Sequence, residues 1–374
     1  MTSRYRADPA RAKAIPRRTA LGRLAALPIL PSLLAAAAPD PAVPRLPRDQ
    51  LLLYRTRSGA IRTARSAAEW RPRQEEIRAG FEAIAGPDPR PHPGTPPPFT
   101  IEEETDCGDY VRRLVTFAAD PGGRVPAWLL VPRAALDGRR CPAALCLHQT
   151  HAAGFRTVVG LADSPDDEYA VELARRGMVC LATPYPLLAD YHPDLSGLGY
   201  ASGVRLATWN NRRGIDLLQS LPFVRPGPVG AIGHSLGGHT ALFTAFLDSR
   251  IGVVATSCAF DSFVDYMGGD LTGWTQTRYF PRLRKYVGRP GEVPFDFHEL
   301  IAALAPRALF VSAPLHDTNF RWESVGRVAA AARPVYALHH AAHRLRVRHP
   351  DVPHRFPPEI RREAYDFIDE HLGV

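Results

Sequence analysis

The sequence is poor in the devices that hold small or extended scaffolds together. It has 5 cysteines in 374 residues, an odd number. Cys146, Cys180 and Cys258 lie inside apolar runs and read as small core residues, which argues against a disulfide framework. A single bridge between Cys107 and Cys141 stays open. No internal repeat is present, which removes solenoids and propellers. The apolar run 24–38 is too short, and too broken by Pro28 and Pro31, to span a bilayer comfortably. The formal charge of +8 is also misleading, because residues 1–38 carry seven basic side chains against Asp8 alone. The remainder holds 39 basic and 37 acidic groups, with no basic stripe for nucleic acid. Arg344, Arg346 and Arg348 form a local cluster that reads as a solvated face.

What is present is the composition of a globular protein, 45% hydrophobic and 22% charged, in a chain long enough for a large core. The first 38 residues read as an export signal. A basic segment ending Arg17-Arg18-Thr19-Ala20-Leu21 precedes the apolar run, and Ala35 to Ala38 offer small residues for cleavage. The arginine pair resembles the twin-arginine (Tat) export signal, departing from it at Pro16, Ala20 and Gly22, and predicts a periplasmic or extracellular protein without stable membrane insertion. Residues 39–106 read as an N-terminal extension. It opens on a stiff linker with four prolines in 39–47, and Trp70, Ile77, Phe81 and Ile84 recur at spacings of one helix face. It continues into a second connector, 87–98, with seven prolines.

From residue 107 to 374, short β-rich apolar runs alternate with helical patterns, as in crossover units on a mostly parallel sheet. Residues 110–118 and 124–131 suggest an antiparallel opening pair. Inner strands are predicted at 143–147, 178–182, 229–232, 252–258, 308–312 and 335–338, and helices at 166–176, 204–221, 236–248 and 357–372. In such sheets chemistry sits in the loops after the carboxyl ends of the strands.

One of those loops is Gly233-His234-Ser235-Leu236-Gly237, between an apolar strand and a helix. This is the nucleophile-elbow pattern in its proper context: the serine needs a strained turn to project its Oγ, and the flanking glycines remove side chains that would collide there. A nucleophilic serine needs a base, and the base needs an orienting carboxylate, in the chain order Ser, acid, His. Nine histidines follow Ser235. His349 and His354 lie in the loop after the last strand and before the C-terminal helix, and His354, nearest the helix and flanked by prolines, is the favoured base. Asp317, after the strand 308–312, is the favoured acid, with Asp261, one strand earlier, as its rival. The oxyanion of the tetrahedral intermediate requires two backbone N–H donors. Leu236 is one. Gln149 or Thr150, in His148-Gln149-Thr150, is the other. His339, His340 and His343 have no cysteine or carboxylate at ligand spacing, so no metal is expected, and no cofactor.

These motifs resemble the α/β-hydrolase superfamily, in particular its bacterial dienelactone-hydrolase-like and acetyl-xylan-esterase-like serine esterases. The resemblance covers about residues 107–374. It rests on the strand ending His148-Gln149-Thr150, on 168–186, on the 233–238 elbow, on Ala305-Pro306-Arg307, and on Asp317 and His354. It implies an α/β-hydrolase fold, a central sheet flanked by helices, and a Ser235–His354–Asp317 triad. Dienelactone hydrolases proper use cysteine as nucleophile, so Ser235 implies ordinary ester hydrolysis. Residues 260–297 hold nine aromatics in 38 positions, so an aromatic-rich insertion over 260–298 either caps the pocket or buries a long excursion against the sheet. His234, Trp209 and Trp274 are candidate pocket residues. The expected partner is a small-molecule or carbohydrate ester, not nucleic acid. The competing readings are a peptidase or acyltransferase with the same triad, and a non-catalytic binding domain.

Overall fold

The computed structural model describes residues 45–121 and 123–374. The predicted export segment, 1–38, lies outside the described residues. A small hairpin, β1 (Leu53–Arg55) and β2 (Ile61–Thr63), leads into α1 (Ala67–Ala85). There follow β3 (Phe99–Asp106), β4 (Tyr110–Asp120), β5 (Gly123–Pro132), the single turn α2 (Arg133–Leu136) and β6 (Ala143–Leu147). Next come α3 (Tyr169–Arg175), β7 (Val179–Ala182), α4 (Gly203–Ser220), β8 (Val229–His234) and α5 (Leu236–Leu247). The chain ends with β9 (Ile251–Ser257), α6 (Phe297–Ala303), β10 (Ala308–Ser312), α7 (Trp322–Leu338), β11 (Leu345–Arg348) and α8 (Pro358–Leu372).

Nine strands form one sheet in the order β11-β10-β9-β8-β6-β7-β5-β4-β3. From β7 to β11 all neighbours are parallel, and β5, β4 and β3 continue it antiparallel. Successive residues of an inner strand point to opposite faces, and both faces are covered, which is why these strands read as unbroken apolar runs. In β6, Ala143, Leu145 and Leu147 belong to the apolar cluster that includes residues of α1, α4, α5, α6 and α7, whereas Ala144 and Cys146 belong to the one that includes α3 and α8.

Two expectations change and one open alternative closes. Residues 335–338 are the last turn of α7, not a strand. Val325, Val328, Ala332, Val335 and Tyr336 are buried at helical spacing, and Pro334 sits inside the helix without ending it. The last strand is instead β11, and it carries part of the arginine cluster: Arg346 lies over the Phe367 ring at 4.6 Å and Arg348 pairs with Glu363 at 2.7 Å. The sheet also begins before residue 107, because β3 pairs along the edge with β4. Finally, Cys107 and Cys141 are both free thiols.

The segment before β3 is part of the same core. Trp70, Ile77, Phe81 and Ile84 are all buried, and the Trp70 Nε1–H donates to Leu51 O at 2.7 Å. Phe81 meets Phe243 of α5 and Phe280 and Phe295 of the aromatic excursion, with ring centroids 5.2–5.9 Å apart. Polar ties reinforce this joint. Arg73 pairs with buried Glu299 at 2.9 Å, Arg45 also pairs with Glu299, and Arg48 pairs with Asp296. Asp296 in turn accepts from the Phe263 and Phe297 N–H groups, at 3.1 and 2.7 Å. A buried carboxylate is tolerable only with such a full set of donors.

Candidate active site

The elbow is built by backbone closeness. Ser235 has φ 51 and ψ −118, a conformation that costs a non-glycine residue on the order of 1–3 kcal/mol and persists only where the surroundings impose it. They do so here. The Ser235 N–H donates to Ser257 O of β9 at 2.8 Å, and Ser235 O accepts from Gly238 N–H at 2.9 Å. A Cβ on Gly237 would fall 1.8 Å from Leu147 O, and one on Gly233 would fall 2.3 Å from Gly237 C. The first turn of α5 therefore lies directly against the end of β6, which brings Leu236 beside the loop 148–150.

That loop is held by its own side chains. The His148 Nδ1–H donates to Gln149 O at 2.8 Å, and Nε2 accepts from Tyr185 N–H at 2.9 Å. Both ring nitrogens are thus used by the neutral imidazole, and burial lowers its pKa to about 4. Gln149 is buried. Its Nε2 donates to Asp167 at 2.5 Å and its Oε1 accepts from Thr157 at 3.3 Å, whereas Thr150 is exposed.

The loops after β9, β10 and β11 converge next to the elbow, because the three strands are parallel neighbours. His354 Nδ1 lies 2.9 Å from both carboxylate oxygens of Asp317. The Asp317 side chain is 1% exposed and that of His354 24%. Asp317 also accepts from the N–H groups of Asn319, at 2.8 Å, and Phe320, at 3.2 Å. Burial works to raise its pKa, but the hydrogen bond and charge of His354, with those two N–H groups, hold it below the usual carboxylate value. His349, the other candidate base, instead hydrogen-bonds Ala313 O through Nδ1 at 2.8 Å and packs on Trp322. Asp261 is buried too. It accepts from the Arg321 N–H at 3.1 Å, and burial raises its carboxyl to about 8.

A cleft of about 370 Å³ opens on His354. Its walls include Gln149, His151, the acidic turn Asp163 to Asp167, His234, Arg355 and Phe356. His234 lies 4.9 Å from the His354 ring between centroids, and burial, then the neighbouring His354, lowers its pKa to about 3. The two candidate pocket tryptophans are elsewhere. Trp209 is in the core between α4 and β4, donating through Nε1 to Ala119 O at 3.0 Å. Trp274 is buried among His239, Tyr279 and Phe320, and Phe320, 6.2 Å from the His354 ring, and His239, whose N–H donates to Ser235 O at 3.2 Å, join that cluster to the site. The tryptophans misled because large apolar rings fit a core as well as a pocket. The acidic turn was missed as a wall because 166–176 reads as one helix, while α3 starts only at Tyr169. The run Asp163-Ser-Pro-Asp-Asp-Glu168, with a helix-breaking proline, was the available signal.

No family model matches the chain. Over 159 residues it is 31% identical to "Putative hydrolase YtaP" of Bacillus subtilis (strain 168), a match covering 42% of this chain and 50% of that protein. Over 150 residues it is 27% identical to the 4-O-methyl-glucuronoyl methylesterase of Hypocrea jecorina (strain QM6a), covering 34% of this chain and 31% of the other. The chain thus spans half or less of the length of these curated relatives. The glucuronoyl esterase from Solibacter usitatus superposes with a TM-score of 0.69 at 20% identity, over 88% of this chain and 99% of that one. Sheet order, elbow and structural likeness agree: the chain has the α/β-hydrolase fold.

Proposed function

We propose that this protein is a serine hydrolase of carboxylic esters. The observation that supports the reading is the His354–Asp317 pair on the loops after β11 and β10, with the His354 ring 4.9 Å from that of His234, the residue before the positive-φ Ser235. In this reading the Ser235 Oγ attacks the ester carbonyl while His354 Nε2 takes its proton. Asp317 fixes the Nδ1–H tautomer and stabilises the imidazolium. The N–H of Leu236 and one from Gln149 or Thr150 hold the oxyanion, and the alcohol leaves with the proton from His354. Water then cleaves the acyl-enzyme by the same route.

The polar cleft favours a hydroxyl-rich sugar, and the relatives named for glucuronoyl esters, in which the sugar is the acyl part, also point to a sugar, so the substrate is a carbohydrate ester. Sugar hydroxyls can hydrogen-bond the carboxylates, the Gln149 amide and the Arg355 guanidinium of the cleft walls, bonds that an alkyl chain would leave unmade. Residues 1–38 act as the export signal and 107–374 as the catalytic body, to which β3 adds an edge strand. No helix among the described residues is long and apolar enough to cross a membrane. Ser235→Ala should abolish hydrolysis of acetylated sugars, methyl glucuronates and aryl acetates, together with labelling by a fluorophosphonate probe, while the melting temperature stays near that of the wild type. Residual kcat above about a hundredth of wild type would contradict a nucleophilic role, since losing the nucleophile normally costs far more.

A further inference from the structure

Beneath the His354–Asp317 pair lies a group the hydrolytic mechanism does not use. Cys258 directly follows β9, and one ligand atom each from Cys258, Asp317 and His354 lie within 4.8 Å of one another. Three parallel strands deliver them, so the cluster is fixed by the sheet and not by one flexible loop. Cys258 is held at φ 50, its N–H donates to Ser312 O at 2.9 Å, and its Sγ reaches Arg355 O at 3.5 Å.

We propose that Cys258, Asp317 and His354 form a binding site for a soft divalent cation, Zn²⁺ in particular, at which the ion reversibly shuts off ester hydrolysis. The donor set of one sulfur, one imidazole nitrogen and one carboxylate oxygen suits zinc and its soft neighbours, and not calcium or magnesium, which take oxygen ligands. Zinc bonded to such ligands at about 2.0–2.3 Å would hold them roughly 3.3–3.8 Å apart, so closing the cluster needs shifts of only about 1 Å. Three protein ligands leave a position for water, as in open zinc sites. Entry is from the cleft, into which His354 is partly exposed.

The chemistry balances simply. The ion displaces the thiol proton of Cys258 to solvent, the proton on His354 Nδ1 moves by way of solvent to Nε2, and the ion binds the thiolate, the neutral imidazole through Nδ1 and the Asp317 carboxylate, with no electron transferred. Hydrolysis stops because Asp317 no longer orients and stabilises His354. Without the ion the thiol is a bystander, since burial raises its pKa well above the ordinary value and keeps it neutral. The regulatory consequence rests on the hydrolase reading above; the binding does not.

The test uses the full chain carrying Cys107→Ser, which removes the partly exposed thiol. Titration with Co²⁺ should develop a near-ultraviolet thiolate-to-cobalt band, and Zn²⁺ should inhibit aryl acetate hydrolysis, reversed by a chelator. Adding Cys258→Ser should remove the band and weaken Zn²⁺ inhibition by roughly tenfold or more, with inhibition read against each variant's own metal-free rate. An active protein that gives no cobalt band, or that Zn²⁺ inhibits equally with and without Cys258, overturns the site. A protein without esterase activity that still gives the Cys258-dependent band keeps the site and fails the hydrolase reading instead. If Cys258→Ser does not fold, His354→Ala carries the measurement, and an unchanged band there overturns the proposal.

Discussion

Asp261 and Asp317 follow neighbouring strands of one sheet, both are largely buried, and the same loop serves both. Residues 319 and 320 give their N–H groups to Asp317, and residue 321 gives its N–H to Asp261. The difference is in what else each carboxyl meets. Asp317 has a third donor, the imidazole of His354, on both oxygens. Asp261 has one backbone N–H, a buried Oδ1 with no hydrogen-bond partner, and the charges of Asp265, Asp296 and Asp317 nearby. Burial pushes both carboxyls up, and only the one with enough donors and a cation-forming partner is brought back down. Two acids on neighbouring loops can therefore be pushed in opposite directions, and position after a strand does not by itself say which one is a working carboxylate.

The sharpest way to break this comparison is to remove the charges one at a time. Asp317→Asn keeps the shape but can hold the wrong imidazole tautomer, so kcat for ester hydrolysis should fall by about 10⁴ with KM little changed, the cost of the same change in serine proteases. Asp261→Asn should change kcat by no more than about threefold, because a neutral buried carboxyl is replaced by a neutral amide. Steady-state kinetics of both variants decide between them, and reversed phenotypes would move the acid to the earlier strand. The double variant sharpens the point. It should match Asp317→Asn within a few-fold, whereas a reserve role for Asp261 would show as a further large loss.

How much of this was legible in the sequence follows from how local each signal is. The elbow was, because its constraint is steric and confined to five residues. The pair His354 and Asp317 was legible through order and strand placement, although the distance between them is a property of three packed strands. The strand before His354 was misplaced onto 335–338, because Val-Tyr-Ala-Leu after a proline looks like a β run, and only packing against the sheet makes it helical. Edge strand β3 escaped because Phe99-Thr-Ile-Glu-Glu-Glu-Thr-Asp106 is mostly exposed and acidic, and an edge needs no continuous apolar run. The meeting of Cys258 with Asp317 and His354 has no sequence signature, since its members are 59 and 37 residues apart along the chain. Trp209 and Trp274 fell on the wrong side of an ambiguity that burial alone resolves.

The remaining expected effect is on stability, and it comes from Asp261. Its carboxyl titrates at about 8 in the folded protein and near 3.9 when unfolded. Below about pH 4 both states hold the proton and the group contributes no pH dependence. As pH rises from there, the unfolded chain releases the proton while the folded one keeps it, so the wild type loses stability at a rate approaching 1.4 kcal/mol per pH unit, until the folded group also ionises near 8. Asn has no proton to lose, and its Oδ1 can still accept the Arg321 N–H. The difference in melting temperature, Asp261→Asn minus wild type, should therefore grow steadily between pH 5 and 8 and level off above it, whatever its sign at pH 5. A difference that stays flat across that range would mean that Asp261 is ionised in the folded protein, and the contrast with Asp317 would collapse.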